Sequence, residues 1–286
     1  MSERLKIAIQ KKGRLSDDSL SLFKACGIKF KAGYGSLKAS ATNFDADFLF
    51  LRDDDIPGYV EDGIADIGIV GENVLEEKKA EVTIVKKLGF SKCRLSIAVP
   101  RETTYSGVQQ LDGQRIATSY PNILGKFLAD NNIKADIHEI SGSVEIAPSI
   151  GLAEAICDIV STGSTLLSNG LKEVEKIYNS EAVLVASNKL NDEKQDLLNQ
   201  LMFRVDSVQK AKNSKYILLN APNDKVEQIV AMLPGMKSPT VLPLAESGWS
   251  SIHSVLIEDD FWKNIENIRK AGAQGILVVP IEKIIN

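Results

Sequence analysis

Hydrophobic residues in the first two-thirds of the chain fall into short runs that are separated by amphipathic stretches. The runs at residues 5–9, 47–51 and 66–71 have the length and apolar character of buried β-strands. Between the first two, residues 16–28 predict a helix, because Ser16 can cap it and two aspartates follow at its positive end. This alternation of strand and helix predicts an α/β fold built on a largely parallel sheet.

One apolar pattern occurs twice in the chain. The segment "GIADIGIVG" at residues 63–71 is echoed by "AICDIVSTG" at residues 155–163, with Asp66 and Asp158 in equivalent positions. The echo predicts two similar α/β lobes, with ligands in the cleft between them at the carboxyl ends of strands. The alternative is that unrelated strand–loop–helix units simply resemble one another.

The last part of the chain has a different order of predicted strands and helices. Four apolar runs, "KYILLNA", "TVLPLA", "SIHSVLI" and "GILVVPI", are interrupted by helical patterns after the first and the third. That β-α-β-β-α-β order is typical of a ferredoxin-like module. Before it, a strand at residues 181–187 is expected to return to the first lobe. The predicted domains are a first lobe of residues 1–100 and 181–212, a second lobe of residues 101–180, and a C-terminal domain of residues 213–286.

Composition narrows the class of protein. The chain has 286 residues and a net charge of -4, with both signs spread along it, so nothing favours nucleic acid as a partner. Its few, scattered cysteines and two histidines predict neither a disulfide framework nor a structural zinc site, which indicates a reducing cytosol. No signal peptide is evident, and no apolar run approaches the ~18 residues of a membrane span. A cytoplasmic protein without membrane partners is expected.

A run of small polar residues that begins at the end of "AICDIVSTG" is the first candidate site. Successive backbone N–H groups, a glycine and several hydroxyls are what a phosphate-binding loop requires. Asp158, at the strand end just before them, can accept hydrogen bonds from vicinal hydroxyls, so a sugar phosphate fits the pair. A capped helix start with a solvated aspartate is the alternative, and the glycine and lysine of a nucleoside triphosphate P-loop are missing. The loop comprises Ser161, Thr162, Gly163, Ser164 and Thr165.

Other candidates follow predicted strands. Lys11 and Arg14 come after the first strand and Arg52 after "DFLFL", so they can bind phosphates if they face the cleft. Tyr120 in "TSYPN" can stack on a base. Glu145 in "SGSVEIAP" can be a second ribose ligand or a metal ligand. Each residue also has a non-functional interpretation. The three cations can be solvated surface charges, Tyr120 a surface tyrosine and Glu145 a carboxylate in a turn.

Two common signatures fail. "GYGSLK" has only two glycines, which argues against a dinucleotide fingerprint, and the two histidines stand in settings that do not suggest a Ser–His–Asp triad. Whatever reaction the protein catalyses, it requires little general-base chemistry or uses carboxylates for it.

The run "EAICDIVSTGSTLLSNGL" resembles the signature of the ATP phosphoribosyltransferase family. Supporting matches are "QKKGRLSDDS", "RDDDIPGYVEDG", "DIGIVGENVLEE", "RIATSYPN", "GSVEIAPSIGLA" and "LPGMKSPTVLPLA", so the resemblance covers all three predicted domains. The tail is similar to that of the long form, which carries its own regulatory domain. The fold then implied is α/β, with two periplasmic-binding-protein-like lobes around a cleft and a C-terminal ferredoxin-like regulatory domain.

The resemblance implies a reaction that opens histidine biosynthesis. With Mg²⁺, adenine N1 of ATP displaces pyrophosphate from 5-phosphoribosyl 1-pyrophosphate (PRPP), giving N1-(5-phosphoribosyl)-ATP. N1 is unprotonated at neutral pH, so catalysis rests on positioning and charge stabilisation and no general base is assigned. By position, Asp158 would hold the ribose hydroxyls and residues 161–165 the 5-phosphate, with Glu145 helping at the ribose or the metal. Lys11, Arg14 and Arg52 would take ATP phosphates or pyrophosphate, and Tyr120 would lie near adenine.

The resemblance also implies regulation. Long-form members assemble from dimers into hexamers and are inhibited by L-histidine at their C-terminal domains, where Asn220, Thr240 and Val255 match. Some relatives carry an acidic residue in place of Asn220, and an amide pairs less strongly with the histidine ammonium. The runner-up from another class is a two-lobed solute-binding module without catalysis. A short form that needs a separate regulatory subunit is disfavoured by the ferredoxin-like tail.

Overall fold

A computed structural model describes residues 3–31, 35–233, 235 and 238–285, which form fifteen β-strands and eight α-helices. The strands are β1 Leu5–Gln10, β2 Lys38–Ser40, β3 Ala46–Leu51, β4 Ile67–Gly71, β5 Thr83–Lys87, β6 Cys93–Pro100, β7 Arg115–Thr118, β8 Asp136–Glu139, β9 Ala155–Val160, β10 Leu171–Ser180, β11 Ala182–Ala186, β12 Ser214–Pro222, β13 Thr240–Pro243, β14 Trp249–Ile257 and β15 Gln274–Pro280. The helices are α1 Arg14–Ala25, α2 Ile56–Glu61, α3 Glu72–Lys78, α4 Pro121–Asp130, α5 Ser164–Ser168, α6 Asp192–Lys212, α7 Val226–Ala231 and α8 Glu258–Lys270.

Two sequence stretches discussed above fall partly outside the described residues. They are "GYGSLK", at positions 33 and 34, and "LPGMKSPTVLPLA", at positions 234, 236 and 237.

Internal contacts divide the chain into two units. The first consists of Met1–Lys24 and Ile28–Leu198, and the second of Ala25–Gly27 and Asn199–Asn286. The division at residue 198 falls within α6, ahead of the predicted boundary at residue 212. The three-domain division drawn from the sequence remains a prediction.

The first unit contains two sheets, and one of them is built around β1. Its strand order is β2-β3-β1-β4-β11-β5, with β1 parallel to β3 and β4. The strand expected at residues 181–187 is β11, which runs antiparallel to β4 and β5. The expectation of a largely parallel sheet is therefore wrong for three of its five strand pairings, because β2 and β11 run opposite to their neighbours. An apolar run shows that a strand is buried but not which way it runs.

The other sheet has the strand order β10-β6-β9-β7-β8. Strand β7 is parallel to β8 and β9, whereas β6 is antiparallel to β9 and β10. Strand β6 thus belongs to the second sheet, although the predicted boundary at residue 100 assigned it to the first lobe. Its choice of partners depends on β9 and β10, which lie far along the chain, so the local sequence could not reveal it.

Each of these sheets has its own core. Ile7, Ile9 and Phe48 are fully buried in the first, and Ile97 and Ile116 in the second. Burial of each such side chain contributes roughly 1.5–3 kcal/mol. Two separately packed lobes therefore leave a cleft between them in which polar side chains can meet.

The second unit has a four-stranded antiparallel sheet in the order β13-β14-β12-β15. Helices α7 and α8 contribute to one core with Ile217, Leu219 and Ile252, which lie on one face of the sheet. This is the ferredoxin-like β-α-β-β-α-β arrangement expected from the sequence, and the expectation is confirmed. Along the chain segments described above, no helix combines the length and apolar character required to cross a bilayer.

Candidate functional site

The cleft of the first unit is bridged where Arg14 meets Ser161. Gly13 has φ +102, so it turns the chain from β1 into α1 and brings Arg14 to the carboxyl end of β1. The Arg14 Nη1 atom donates a hydrogen bond to Ser161 Oγ over 2.6 Å. A loop of the first lobe therefore contacts the candidate phosphate loop of the second. A cavity of about 340 Å³ lies here, and its lining includes Arg14, Asp53, Asn73, Lys92, Ile159 and Ser161.

The candidate phosphate loop contains hydrogen bonds between its own residues and a glycine with positive φ. Gly163, with φ +82, precedes α5 in the left-handed conformation that favours glycine. The hydroxyls of Thr162 and Ser164 are 3.0 Å apart, and Thr165 is solvent-exposed. Hydroxyl-bearing residues are thus exposed along the loop, as phosphate binding requires, while the Ser164 N–H donates to Thr162 Oγ1 over 3.5 Å.

Arg94 supports the loop from β6, and no sequence motif selects it. Its Nε and Nη2 atoms donate to the two carboxylate oxygens of Glu173, each over 2.5 Å, and its Nη1 donates to Ser161 O over 3.1 Å. Ser96 adds a 2.8 Å hydrogen bond to Glu173. An arginine within an apolar strand was the only available signal, because Glu173 is distant in sequence.

Asp158 lies at the carboxyl end of the second sheet. Its neighbour Cys157 pairs with Thr118, the last residue of β7. Burial raises the pKa of Asp158 to about 6; a hydrogen bond from the Ile159 N–H opposes the rise, and the nearby Glu145 charge adds to it. Two of the predicted ribose ligands, Asp158 and Glu145, are therefore close enough to influence each other.

Asp66, the counterpart of Asp158 in the sequence echo, has a different environment. It is buried, accepts a 2.7 Å hydrogen bond from Lys6 N and pairs with Lys194 over 2.9 Å. Lys6 is near the start of β1, so Asp66 lies at the sheet edge opposite to Lys11. The echo therefore reflects a shared strand pattern and not two equivalent ligand sites.

Tyr120 is anchored between the lobes by Asn73. Asn73 Nδ2 donates to the Tyr120 hydroxyl over 3.2 Å, and Ser180 Oγ donates to Asn73 Oδ1 over 2.8 Å. Burial, followed by the negative charges of Asp158, Asp53 and Asp54, raises the pKa of the Tyr120 phenol, which stays neutral. A second cavity, of about 250 Å³, adjoins this ring and is lined by Asp53, Asp54, Val74, Glu77, Lys78, Ser119, Tyr120, Glu139, Ile140, Ser141 and Gly142.

Glu77 connects the lobes next to Tyr120. Its Oε1 accepts a 2.9 Å hydrogen bond from Asn122 N and its Oε2 a 3.0 Å hydrogen bond from Ile123 N, at the start of α4. The side chain is buried. A carboxylate from the first lobe thus satisfies backbone donors that the first turn of a helix leaves without intrahelical partners.

Lys11 and Arg52 lie on adjoining loops. Lys11 N donates to Leu51 O over 2.8 Å, and Arg52 follows Leu51 directly. Both side chains are exposed, and neither contributes to the two cavities described above. The structure thus brings these two cations to one edge of the first sheet but, unlike Arg14, does not bring them to the phosphate loop.

The residues that the structure describes contain no group of three or more His, Cys, Asp or Glu side chains that could hold a metal ion by itself. A divalent cation in this cleft would therefore need ligands from a substrate as well as from the protein.

In the second unit, the three candidate effector residues share one face of the sheet. Asn220 pairs with Ser251, Thr240 with His253 and Val255 with Tyr216. Because side chains alternate along a strand, this is the face opposite to the core residues Ile217 and Leu219. His253 is held there by Tyr216 Oη at 2.6 Å and Ser251 Oγ at 3.0 Å, neither of which the sequence suggested.

Comparison with known proteins identifies relatives over nearly the whole chain. A family model described as ATP phosphoribosyltransferase matches residues 52–207, and one described as HisG, C-terminal domain, matches residues 211–283. The ATP phosphoribosyltransferase of Cytophaga hutchinsonii is 61% identical over 285 residues, which cover 100% of both chains. That of Azobacteroides pseudotrichonymphae is 55% identical over 281 residues, covering 98% of this chain and 99% of the relative.

Solved structures agree with these relatives. An ATP phosphoribosyl transferase (HisG:HisZ) complex from Thermotoga maritima matches with a TM-score of 0.62 and 28% identity, covering 70% of this chain and 95% of that one. A histidine kinase sensor domain with similarity to periplasmic binding proteins matches with a TM-score of 0.51 and 10% identity, covering 73% of this chain and 91% of that one. The second match supports the two-lobed fold alone.

The two-lobed fold and its relatives define an enzyme of the pentosyltransferase class. Within that class, the chain belongs to the ATP phosphoribosyltransferase family, and it carries the family's C-terminal domain. The resemblance inferred from the sequence motifs is confirmed.

Proposed function

We propose that the protein transfers the 5-phosphoribosyl group of PRPP to N1 of the adenine of ATP, with release of pyrophosphate, as the first step of L-histidine biosynthesis. One observation carries the proposal beyond family membership. Arg14 of the first lobe reaches Ser161 over 2.6 Å, at the mouth of a Ser/Thr/Gly loop that follows Asp158. A cation, neutral donors and a carboxylate are thereby combined in one cleft, as a sugar phosphate with a pyrophosphate group requires.

In this proposal each part of PRPP has its own partners. Residues 161–165 hold the 5-phosphate through backbone N–H groups and hydroxyls. Asp158 accepts hydrogen bonds from the ribose hydroxyls, and Glu145 assists it. With a pKa of about 6, Asp158 is mainly ionised at neutral pH, as an acceptor must be. Arg14, with Lys11 and Arg52 on the neighbouring loops, binds the pyrophosphate or the phosphates of ATP.

The chemistry needs little proton transfer. The N1 lone pair of adenine forms the bond to the anomeric carbon, while the bond to the pyrophosphate oxygen breaks and its electron pair leaves with pyrophosphate. Catalysis then depends on holding N1 in line and stabilising the charges that separate. Tyr120, kept neutral and anchored by Asn73, is the residue that we place beside the adenine ring.

Mg²⁺ is the metal that we propose. Asp158 and Glu145 are hard oxygen donors close to one another, and Mg²⁺ typically binds proteins through one or two carboxylates with phosphates and water completing its shell. When bound, the ion would neutralise charge on the pyrophosphate group. This assignment agrees with the lack of a complete protein ligand set among the described residues.

Regulation is proposed for the C-terminal residues 213–286, with the catalytic lobes as predicted from the sequence. L-histidine would bind through Asn220, Thr240 and Val255, and the enzyme would form homo-oligomers from dimers to hexamers in the cytoplasm. The common sheet face of the three residues supports the assignment. Adding L-histidine should lower the initial rate of the wild type at subsaturating PRPP; an unresponsive rate would refute the inhibitor site.

Product formation tests the proposed reaction. The purified protein is mixed with ATP, PRPP and Mg²⁺, and the absorbance of the N1-ribosylated adenine is followed with pyrophosphatase present. Product that requires all three components is expected. A folded protein that binds PRPP but forms no product would instead support the solute-binding alternative.

A further inference from the structure

Asp53 occupies the junction of the two cavities in the cleft. It follows Arg52 at the end of β3 and begins the short 3-10 turn Asp53–Asp55. It lines the 340 Å³ cavity together with Arg14 and Ser161, and also the 250 Å³ cavity together with Tyr120. Val74 is the other residue that lines both cavities, so Asp53 is the charged group shared by their linings.

The two cavities differ in charge. The first is lined by the cations Arg14 and Lys92, with Asp53 as its one carboxylate among the lining residues. The second has Asp53, Asp54, Glu77 and Glu139 against a single cation, Lys78. The first therefore suits phosphate groups, whereas the second repels them and attracts a group that carries N–H donors or positive charge.

Asp53 differs from Glu77 because it lines both cavities, although backbone N–H groups of Asp53 and Asp54 also hydrogen-bond to its carboxylate. Both oxygens of Glu77 already accept backbone N–H groups of α4. Burial, with the like charges of Asp54 and Asp55, raises the pKa of Asp53. An ionised Asp53 therefore lies among like charges, and a cationic neighbour would relieve that repulsion.

Adenine becomes such a neighbour during the reaction. As the N1 lone pair bonds to the anomeric carbon and pyrophosphate departs with the electron pair of the broken bond, the purine acquires a positive charge. That charge is shared between N1 and the 6-amino group. A carboxylate that accepts a hydrogen bond from the 6-amino group binds the cationic base more tightly than neutral ATP, which is the condition for lowering the barrier.

We infer that Asp53 is a catalytic residue that accepts a hydrogen bond from the adenine 6-amino group and stabilises the positive charge formed when N1 is ribosylated. The inference rests on the proposed function and on Tyr120 lying beside the adenine. A hydrogen bond of this kind assigns the acidic cavity to the adenine of ATP, whereas the PRPP-binding residues hold the ribose and phosphates. It would also explain why the base must be a 6-aminopurine.

The test compares Asp53→Asn with Asp55→Asn. Asp55 lies in the same turn but lines neither cavity, so its substitution is the matched control. The Asp53→Asn enzyme should lose about tenfold or more in kcat, as expected for removal of a charged hydrogen-bond partner, with the KM for PRPP little changed. Calorimetric titration then compares ATP with 1-methyl-ATP, whose base is permanently alkylated and cationic at neutral pH.

Asp53→Asn should weaken binding of 1-methyl-ATP by about tenfold or more and binding of ATP much less, while Asp55→Asn, which acts only through its charge on Asp53, has a far smaller effect on both. Equal weakening of both ligands, or unchanged kinetics and binding, would overturn the role of Asp53. Circular dichroism and PRPP binding verify that the variants are folded. If the wild type itself formed no product, the proposed function would fail. If the wild type formed product and Asp53→Asn were equally active, the proposed function would stand and the role of Asp53 would fail.

Discussion

Replacing Asp158 by asparagine should stabilise the protein near neutral pH while impairing PRPP binding. Burial raises the pKa of Asp158 from 3.8 to about 6. A shift of about two units corresponds to about 3 kcal/mol. Because Asp158 is only partly buried and polar groups can relax around it, we expect a gain of about 1–2 kcal/mol for Asp158→Asn.

The pH dependence follows from the direction of the shift. A carboxyl group whose pKa is higher in the folded state contributes to stability while it is protonated. This contribution is fully present below the unfolded pKa and is lost as the pH rises through about 6. Wild type and Asp158→Asn should therefore have similar stability below the unfolded pKa of 3.8, diverge as the pH rises from 3.8 to about 6, and differ by a constant amount above that. The asparagine variant has no ionised side chain to bury, so it keeps its stability.

Thermal unfolding of both proteins across this pH range measures the effect. A gain of about 1–2 kcal/mol raises the Tm by about 2–8 °C for a unit of this size. Asp47→Asn is the opposing control: burial would raise the pKa of Asp47, but hydrogen bonds from Ser40 and Arg4 outweigh it and lower the pKa. That variant should lose stability above the depressed pKa. An Asp158→Asn protein that is no more stable than wild type at neutral pH would refute the reasoning.

Two further predictions concern contacts across the cleft. Glu77→Ala should cost about 3–5 kcal/mol in urea unfolding, because it leaves the buried N–H group of Ile123 and the part-buried N–H group of Asn122 without their acceptor. Glu76, which lies beside Glu77 on α3, forms an exposed ion pair with Lys126 of α4 that should be worth less than about 1 kcal/mol, so an equal loss in Glu76→Ala would contradict the role of Glu77. Arg14→Ala should raise the KM for PRPP about tenfold or more in initial-rate assays, since it removes a charged donor. Lys12→Ala, an exposed neighbour, should leave that KM nearly unchanged, and a similar rise in both variants would argue for a general charge effect.

The fold was most predictable where local patterns suffice. The strands expected at residues 5–9 and 47–51 are present as β1 and β3, and the C-terminal β-α-β-β-α-β order is confirmed. Strand β10 was not anticipated, because its sequence "LKEVEKIYNS" belongs to a half-exposed edge strand with charged residues on it. The assignment of β6 to the second sheet and the antiparallel direction of β11 depend on partners distant in the chain, and no local pattern encodes them.

The candidate site shows the same limit. The phosphate loop and Asp158 could be selected because glycine, hydroxyls and a carboxylate are adjacent in sequence. Asn73, Glu77 and Arg94 could not, because their partners Tyr120, Ile123 and Glu173 come from other elements. These contacts form only when the chain has folded, so neither composition nor local sequence pattern predicts them.

The KM for PRPP of Thr165→Ala tests the central claim most directly, because that hydroxyl belongs to the loop assigned to the 5-phosphate. Ser168→Ala is the matched control: it lies on the same helix, and its hydroxyl donates to Thr165 O over 3.0 Å instead of facing the loop. The account predicts a KM for PRPP raised about fivefold or more in Thr165→Ala, with the KM for ATP and the Ser168→Ala kinetics close to wild type. Unchanged PRPP kinetics in a folded Thr165→Ala enzyme, and likewise in Asp158→Ala, would contradict the assignment of this loop to PRPP.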